Sequence, residues 1–102
     1  EQNLKSKFRS SSAWKKWRKV IYDKDEGKDF ITRKKLYKAY NCHHLDLREK
    51  NYRNISDPER FISLNKMTHD MIHWAYMYWV KDKSFLDRLR TILEKMEKYS
   101  ND

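Results

Sequence analysis

The sequence predicts a small α+β domain: a basic amphipathic helix first, short antiparallel strands in the middle, and amphipathic helices to close. Three observations lead there. The length of 102 residues suits one domain, 1–102, with one modest core. Apolar residues recur at helical spacing near both ends, while compact β-branched and aromatic runs lie between them. Finally, 4 Trp, 7 Tyr and 4 Phe supply enough apolar area to organise a core, although 38% of the residues are charged.

Ser10, Ser11 and Ser12 offer N-cap hydroxyls, and Trp14, Trp17, Val20 and Ile21 then recur on one helical face. This predicts a basic helix over 12–25, stopped near Asp25, Glu26 and Gly27, the only glycine. Phe30-Ile31-Thr32 and Leu36-Tyr37 read as short strands joined by a turn at Arg33-Lys34-Lys35. Cys42–Leu47 reads as a further strand. The polar stretch Arg48–Arg60 reads as a loop pinned by Tyr52 and Ile55, and Phe61–Leu64 as another strand. Thr68 is placed to cap a helix from His69 to Val80 that is apolar nearly all round, which implies burial on several sides or a subunit interface. Ser84 with Asp87 resembles a capping box for a closing helix over 84–99, with Phe85, Leu86, Leu89, Ile92, Leu93 and Met96 on its apolar face.

The charge is uneven. Residues 1–40 carry 13 basic and 5 acidic side chains, whereas residues 41–102 carry 11 and 10, within a net charge of +9. A polyanion that meets the N-terminal half first is the physical reading. Lys15, Lys16, Arg18 and Lys19 on the first helix, with Arg33, Lys34 and Lys35 in the turn, are the candidate phosphate contacts. One cysteine, Cys42, excludes an intrachain disulfide framework and fits a reducing, cytoplasmic setting. No apolar run approaches the roughly 18 residues of a membrane span, so no membrane partner is expected.

All four histidines fall into two pairs, His43-His44 and His69-x-x-x-His73. A spacing of four on a helix puts both imidazoles on one face, as a shared divalent metal requires. A third imidazole from the strand pair completes a three-histidine site with open positions. Adjacent strand residues face opposite ways, so His43 and His44 take different roles: one ligates, and the other is left to take a proton from an attacking water. The competing arrangement is a closed zinc site of Cys42 with three histidines; strand alternation puts Cys42 and His43 on opposite faces and argues against it. Asp46 alternates with His44 and is placed to orient that imidazole or approach the metal, while Asp70 is a favourable charge in the first helical turn. Core packing is the expected role of Trp14, Trp17, Trp74 and Trp79.

The stretch CHHLDLREKNYRNISDPERFISLNKMTHDMIHW, residues 42–74, resembles the HNH endonuclease motif, particularly its small phage and prophage versions. The preceding SSSAWKKWRKVIYDKD is similar to the basic helix found before that motif in phage members. The resemblance implies a ββα-metal (His-Me finger) fold in which His43, His69 and His73 hold a divalent ion (Mg, Mn, Ni or Zn) and His44 is the general base. The activity it implies is metal-dependent hydrolysis of DNA phosphodiester bonds in a bacterial host cell.

Two departures stand out. Family members that carry a structural zinc do so on paired CxxC motifs; here Asn65 and Thr68 occupy the second pair and the region Phe30–Arg33 the first. Hydrophobic packing through Phe30, Ile31, Leu36 and Tyr40 is therefore expected to replace that zinc. The motif's middle Asn falls at Arg60, a further candidate nucleic-acid contact, and Asn54 is the nearest residue to take the orienting role, with Asn51 and Asn65 as rivals. The runner-up is an HNH-fold DNA-binding module without hydrolysis. The third reading is a phage DNA-packaging accessory protein, the apolar helix 69–80 meeting that partner or a second copy of the chain.

Overall fold

Residues 4–48 and 52–101 are described by the computed structural model, so Asn51 lies outside the described residues. The backbone groups into two units, Glu1–His69 and Asp70–Asp102, the division falling inside a continuous helix.

The first unit begins with a helix not expected from the sequence, α1 (Leu4–Arg9), and then α2 (Ser12–Lys24). Ser11 caps α2 as the hydroxyl triplet predicts, its Oγ accepting from the Trp14 amide at 3.2 Å. Glu26 and Gly27 at φ 59° and 68° reverse the chain, and the Tyr22 ring lies where a Cβ on Gly27 would fall.

The segment after α2 differs from the expected pair of strands. Only an isolated bridge, Lys28 to Lys35, forms there. Asp29 Oδ1 accepts the amides of Ile31 and Thr32 at 2.8 and 2.9 Å, and the Asp29 carbonyl accepts the Arg33 amide at 2.8 Å. A local side-chain acceptor thus captures the amides that a ladder would need, overriding the β-branched composition. Two strands do form: β1 (Asn41–His44) and β2 (Phe61–Leu64), antiparallel, with Asn41 opposite Leu64, Cys42 opposite Ser63, His43 opposite Ile62 and His44 opposite Phe61. β1 stops three residues short of Leu47, because the Asp46 amide turns back to His44 Nδ1 at 3.1 Å and the Asp46 carboxylate takes the Arg48 amide. A single 3-10 turn over Pro58–Arg60, capped by Asp57, leads into β2.

One face of the β1–β2 pair packs on α2. Trp14, Ile21 and Phe61 form the buried cluster, with Phe8, Trp17, Cys42 and Ile55 against it. Tyr52 and Ile55 hold the long loop down as expected, Tyr52 by an edge-on contact with Phe8 at 5.9 Å.

Helix α3 (Lys66–Trp79) starts three residues before the expected His69, so Asp70 lies beyond its first turn. Thr68 is buried inside that first turn and bonds Asp29 rather than capping the helix. The residues of the second unit are mostly exposed, Trp74 at 59% included, so the expected core role of Trp74 is not met within the described residues. Trp79 lies under the Lys83 ammonium, 3.3 Å from the ring centroid. Helix α4 (Phe85–Ser100) follows, and Ser84 makes no side-chain cap. The Ser84 amide instead donates to Asp82, which also pairs with Arg88; this replaces the expected capping box. No helix among the described residues is long and apolar enough to cross a membrane.

Candidate metal centre

Alternation along β1 separates the two neighbouring histidines. His43 is buried and turns to the face away from the Trp14–Phe61 core, where its ring meets His69 edge-on at 5.2 Å between centroids. α3 is continuous through His69 and His73, so helix geometry alone sets these two one turn apart. Ligand nitrogens of His43, His69 and His73 all lie within 4.8 Å of one another. Ligand nitrogens around a tetrahedral zinc stand roughly 3.3 Å apart, given Zn–N bonds of about 2.0–2.1 Å, a difference small enough for side-chain rotation to close. Three neutral imidazoles suit zinc, nickel or another first-row divalent ion, and leave positions open for water or substrate. The donor set therefore fits a metal ion.

Cys42 is not part of this group. It faces the core, packed against the Trp14–Phe61 cluster, and burial pushes its thiol up to about 12. The three histidines gather on the other face of the strand without it, so the closed zinc site of Cys42 with three histidines is not the arrangement the fold assembles.

His44 sits on the core face with Phe61, ring centroids 4.3 Å apart. Its Nδ1 accepts the Asp46 amide, so the neutral ring carries its proton on Nε2, a buried atom with no hydrogen-bond partner among the described residues. The Asp46 contact to His44 thus comes from the backbone, while the Asp46 carboxylate holds the Arg48 guanidinium at 2.9 Å. Asn54 accepts from the Ser56 hydroxyl at 2.8 Å and makes no hydrogen bond to His44. Arg60 ends the 3-10 turn, 3.6 Å from Asp57, and its carbonyl accepts the Leu45 amide at 2.8 Å.

The positions expected to lack a zinc hold a hydrogen-bonded clip instead. Asp29, fully buried, accepts the Asn65 amide at 2.9 Å through Oδ2 and also bonds the Thr68 hydroxyl. The Asn65 side chain accepts the Tyr37 amide at 2.8 Å and donates to the Lys35 carbonyl at 3.0 Å. Asp25 adds a bond to the Ser63 amide at 2.7 Å. Leu36 is buried at 5% and Tyr40 packs on the Tyr22 ring as expected, but Phe30 and Ile31 are 42% and 48% exposed, so the polar clip takes the part expected of those two. Asn65 serves in this clip, which removes it as a rival for the orienting role.

Of the candidate phosphate contacts, Lys15, Arg18 and Lys19 share one groove, joined there by Lys38, which sequence reasoning missed. Lys16, Arg33, Lys34 and Lys35 are exposed but do not line it. No known protein family, curated protein or solved structure matches the chain.

Proposed function

We propose that the chain is a metal-dependent endonuclease of the HNH type that hydrolyses DNA phosphodiester bonds. The observation that carries this reading is the gathering of His43, His69 and His73 from a strand and the following helix into one cluster. A divalent ion held there supplies Lewis-acid stabilisation of charge on the phosphate and the leaving oxygen. His43 fixes its part of the cluster through the ladder with Ile62, and α3 fixes the other two. His44 is the proton acceptor for the attacking water, and it accepts at Nδ1. That step requires the Asp46 amide to release Nδ1. Arg60 is a nucleic-acid contact in this reading, and Asn54 is the candidate for the orienting role of the motif's middle Asn.

The second reading, a metal-bearing DNA-binding module without hydrolysis, is favoured by the same His44 contact, which occupies the basic nitrogen. Nicking of supercoiled plasmid across Mg, Mn, Ni and Zn, beside EDTA, separates the two. The nuclease reading expects metal-dependent nicking that falls roughly 10²- to 10⁴-fold in His44→Ala, the size of a general-base contribution. A folded protein that binds DNA but never cuts it sinks the enzyme and leaves the binding module.

A further inference from the structure

One side of α2 and the segment following Leu36 enclose an open groove of about 510 Å³. Its cations are Lys15, Arg18 and Lys19 from the helix and Lys38 from the facing segment. Lys19 is partly neutralised by Asp23 at 2.8 Å, whereas no ion pair among the described residues engages Lys15 or Lys38. Between the cations stand Tyr22, Tyr37 and Tyr40, over the buried Leu36. The Tyr22 and Tyr40 rings meet at 5.6 Å, and the Arg18 guanidinium lies 4.1 Å over Tyr40. Those two rings are thus partly committed to the protein. Tyr37 is not: it is 71% exposed, while its backbone is anchored by the hydrogen bond its N–H donates to Asn65 Oδ1.

A phenol ring held out at the rim of a cationic groove has a face to offer, and the anion beside it needs an aromatic face to match. Duplex DNA presents phosphates and base edges, its base faces being stacked on one another. An unpaired strand presents phosphates and free base faces together, which is what alternating lysines and tyrosines bind. We propose that this groove holds an unpaired stretch of nucleic acid, its phosphates on Lys15 and Lys38 and one base stacked on Tyr37. The proposal rests on the DNA reading above but not on hydrolysis, and it specifies the form of the substrate: a strand end, a gap or a locally opened duplex.

The test is fluorescence anisotropy in EDTA, with a short labelled oligothymidylate and a duplex of equal length. The wild type is expected to bind the single strand more tightly. Tyr37→Ala should weaken single-strand binding about tenfold, the scale of one base–aromatic stack, with little change on the duplex. Tyr37→Trp should keep the affinity. Lys15→Gln and Lys38→Gln should weaken binding and flatten its salt dependence. The ring is exposed, so these variants are checked for folding by thermal melting alone. Duplex preference, or a Tyr37→Ala loss that is absent or equal on both probes, overturns the groove while the nuclease reading stands on plasmid nicking. Binding to neither probe likewise overturns the groove, and plasmid nicking with metal still decides the nuclease reading.

Discussion

Asp29 is the residue on which the first unit turns. It is fully buried, and burial by itself pushes its carboxyl up. The amides of Thr32, Asn65 and Ile31, with the Thr68 hydroxyl, outweigh that effect and hold it below its ordinary value of 3.8. Because the folded value is the lower one, the ionised form contributes stability above the ordinary carboxylate range. That stability is lost as pH falls through the folded value, below about 4. Asp29→Asn keeps the shape but turns an NH2 toward an amide donor, and should cost roughly 2–4 kcal/mol at neutral pH. Urea melts at pH 7 and pH 3 check both points: the gap between variant and wild type should shrink in acid. A gap that stays constant with pH would mean that the charge of Asp29 is not what the clip uses.

At the scale of elements, the β1–β2 pair owes its position to one ring. Phe61 is fully buried, 5.4 Å from Trp17 and 6.2 Å from Trp14, and it also underlies His44. Phe61→Ala should cost about 3–5 kcal/mol. Phe30→Ala, at a ring that is 42% exposed, should stay within about 1 kcal/mol, against the apolar-clip expectation. Chemical denaturation of the two variants decides it, and equal losses would restore Phe30 to the core. Helix α4 is a different kind of element. It has helical apolar spacing through Leu89, Ile92, Leu93 and Met96, yet none of its residues is buried. An amphipathic helix gains most of its stability from packing, so α4 draws on local contacts such as the Asp82–Arg88 pair and the Tyr78–Phe85 stack at 5.5 Å.

For the molecule as a whole, metal and charge are the two available handles on stability and binding. An ion that binds the folded cluster and not the unfolded chain stabilises the fold by about 2.7 kcal/mol at roughly a hundredfold excess over its Kd. Adding Zn or Ni should therefore raise the melting temperature of the wild type, EDTA should reverse the rise, and His69→Ala or His73→Ala should abolish it. A wild type whose melting is indifferent to Mn, Ni and Zn would remove the metal centre. Of the cations behind the net charge of +9, the groove beside α2 brings four to one place, which is where the proposed nucleic-acid contact would draw on them.

By itself the sequence determined the elements whose signals are local and periodic. The capped α2, the Phe61–Leu64 strand, the closing helix and the pairing of four histidines are all legible because helix and strand spacing are set by the backbone. It also carried the separation of Cys42 from His43, which needs only strand alternation. The tertiary structure decided what depends on residues far apart in the chain. Asp29 reaches Asn65 across 36 positions and Asn65 reaches Tyr37 across 28, and no periodicity announces a carboxylate that captures distant amides. The same limit hid Lys38, and it hid the place of Tyr37 in the groove, which the sequence reads only as a strand residue. It also hid the Asp46 amide on His44, since a two-residue turn can satisfy a ring nitrogen without leaving any pattern in the sequence.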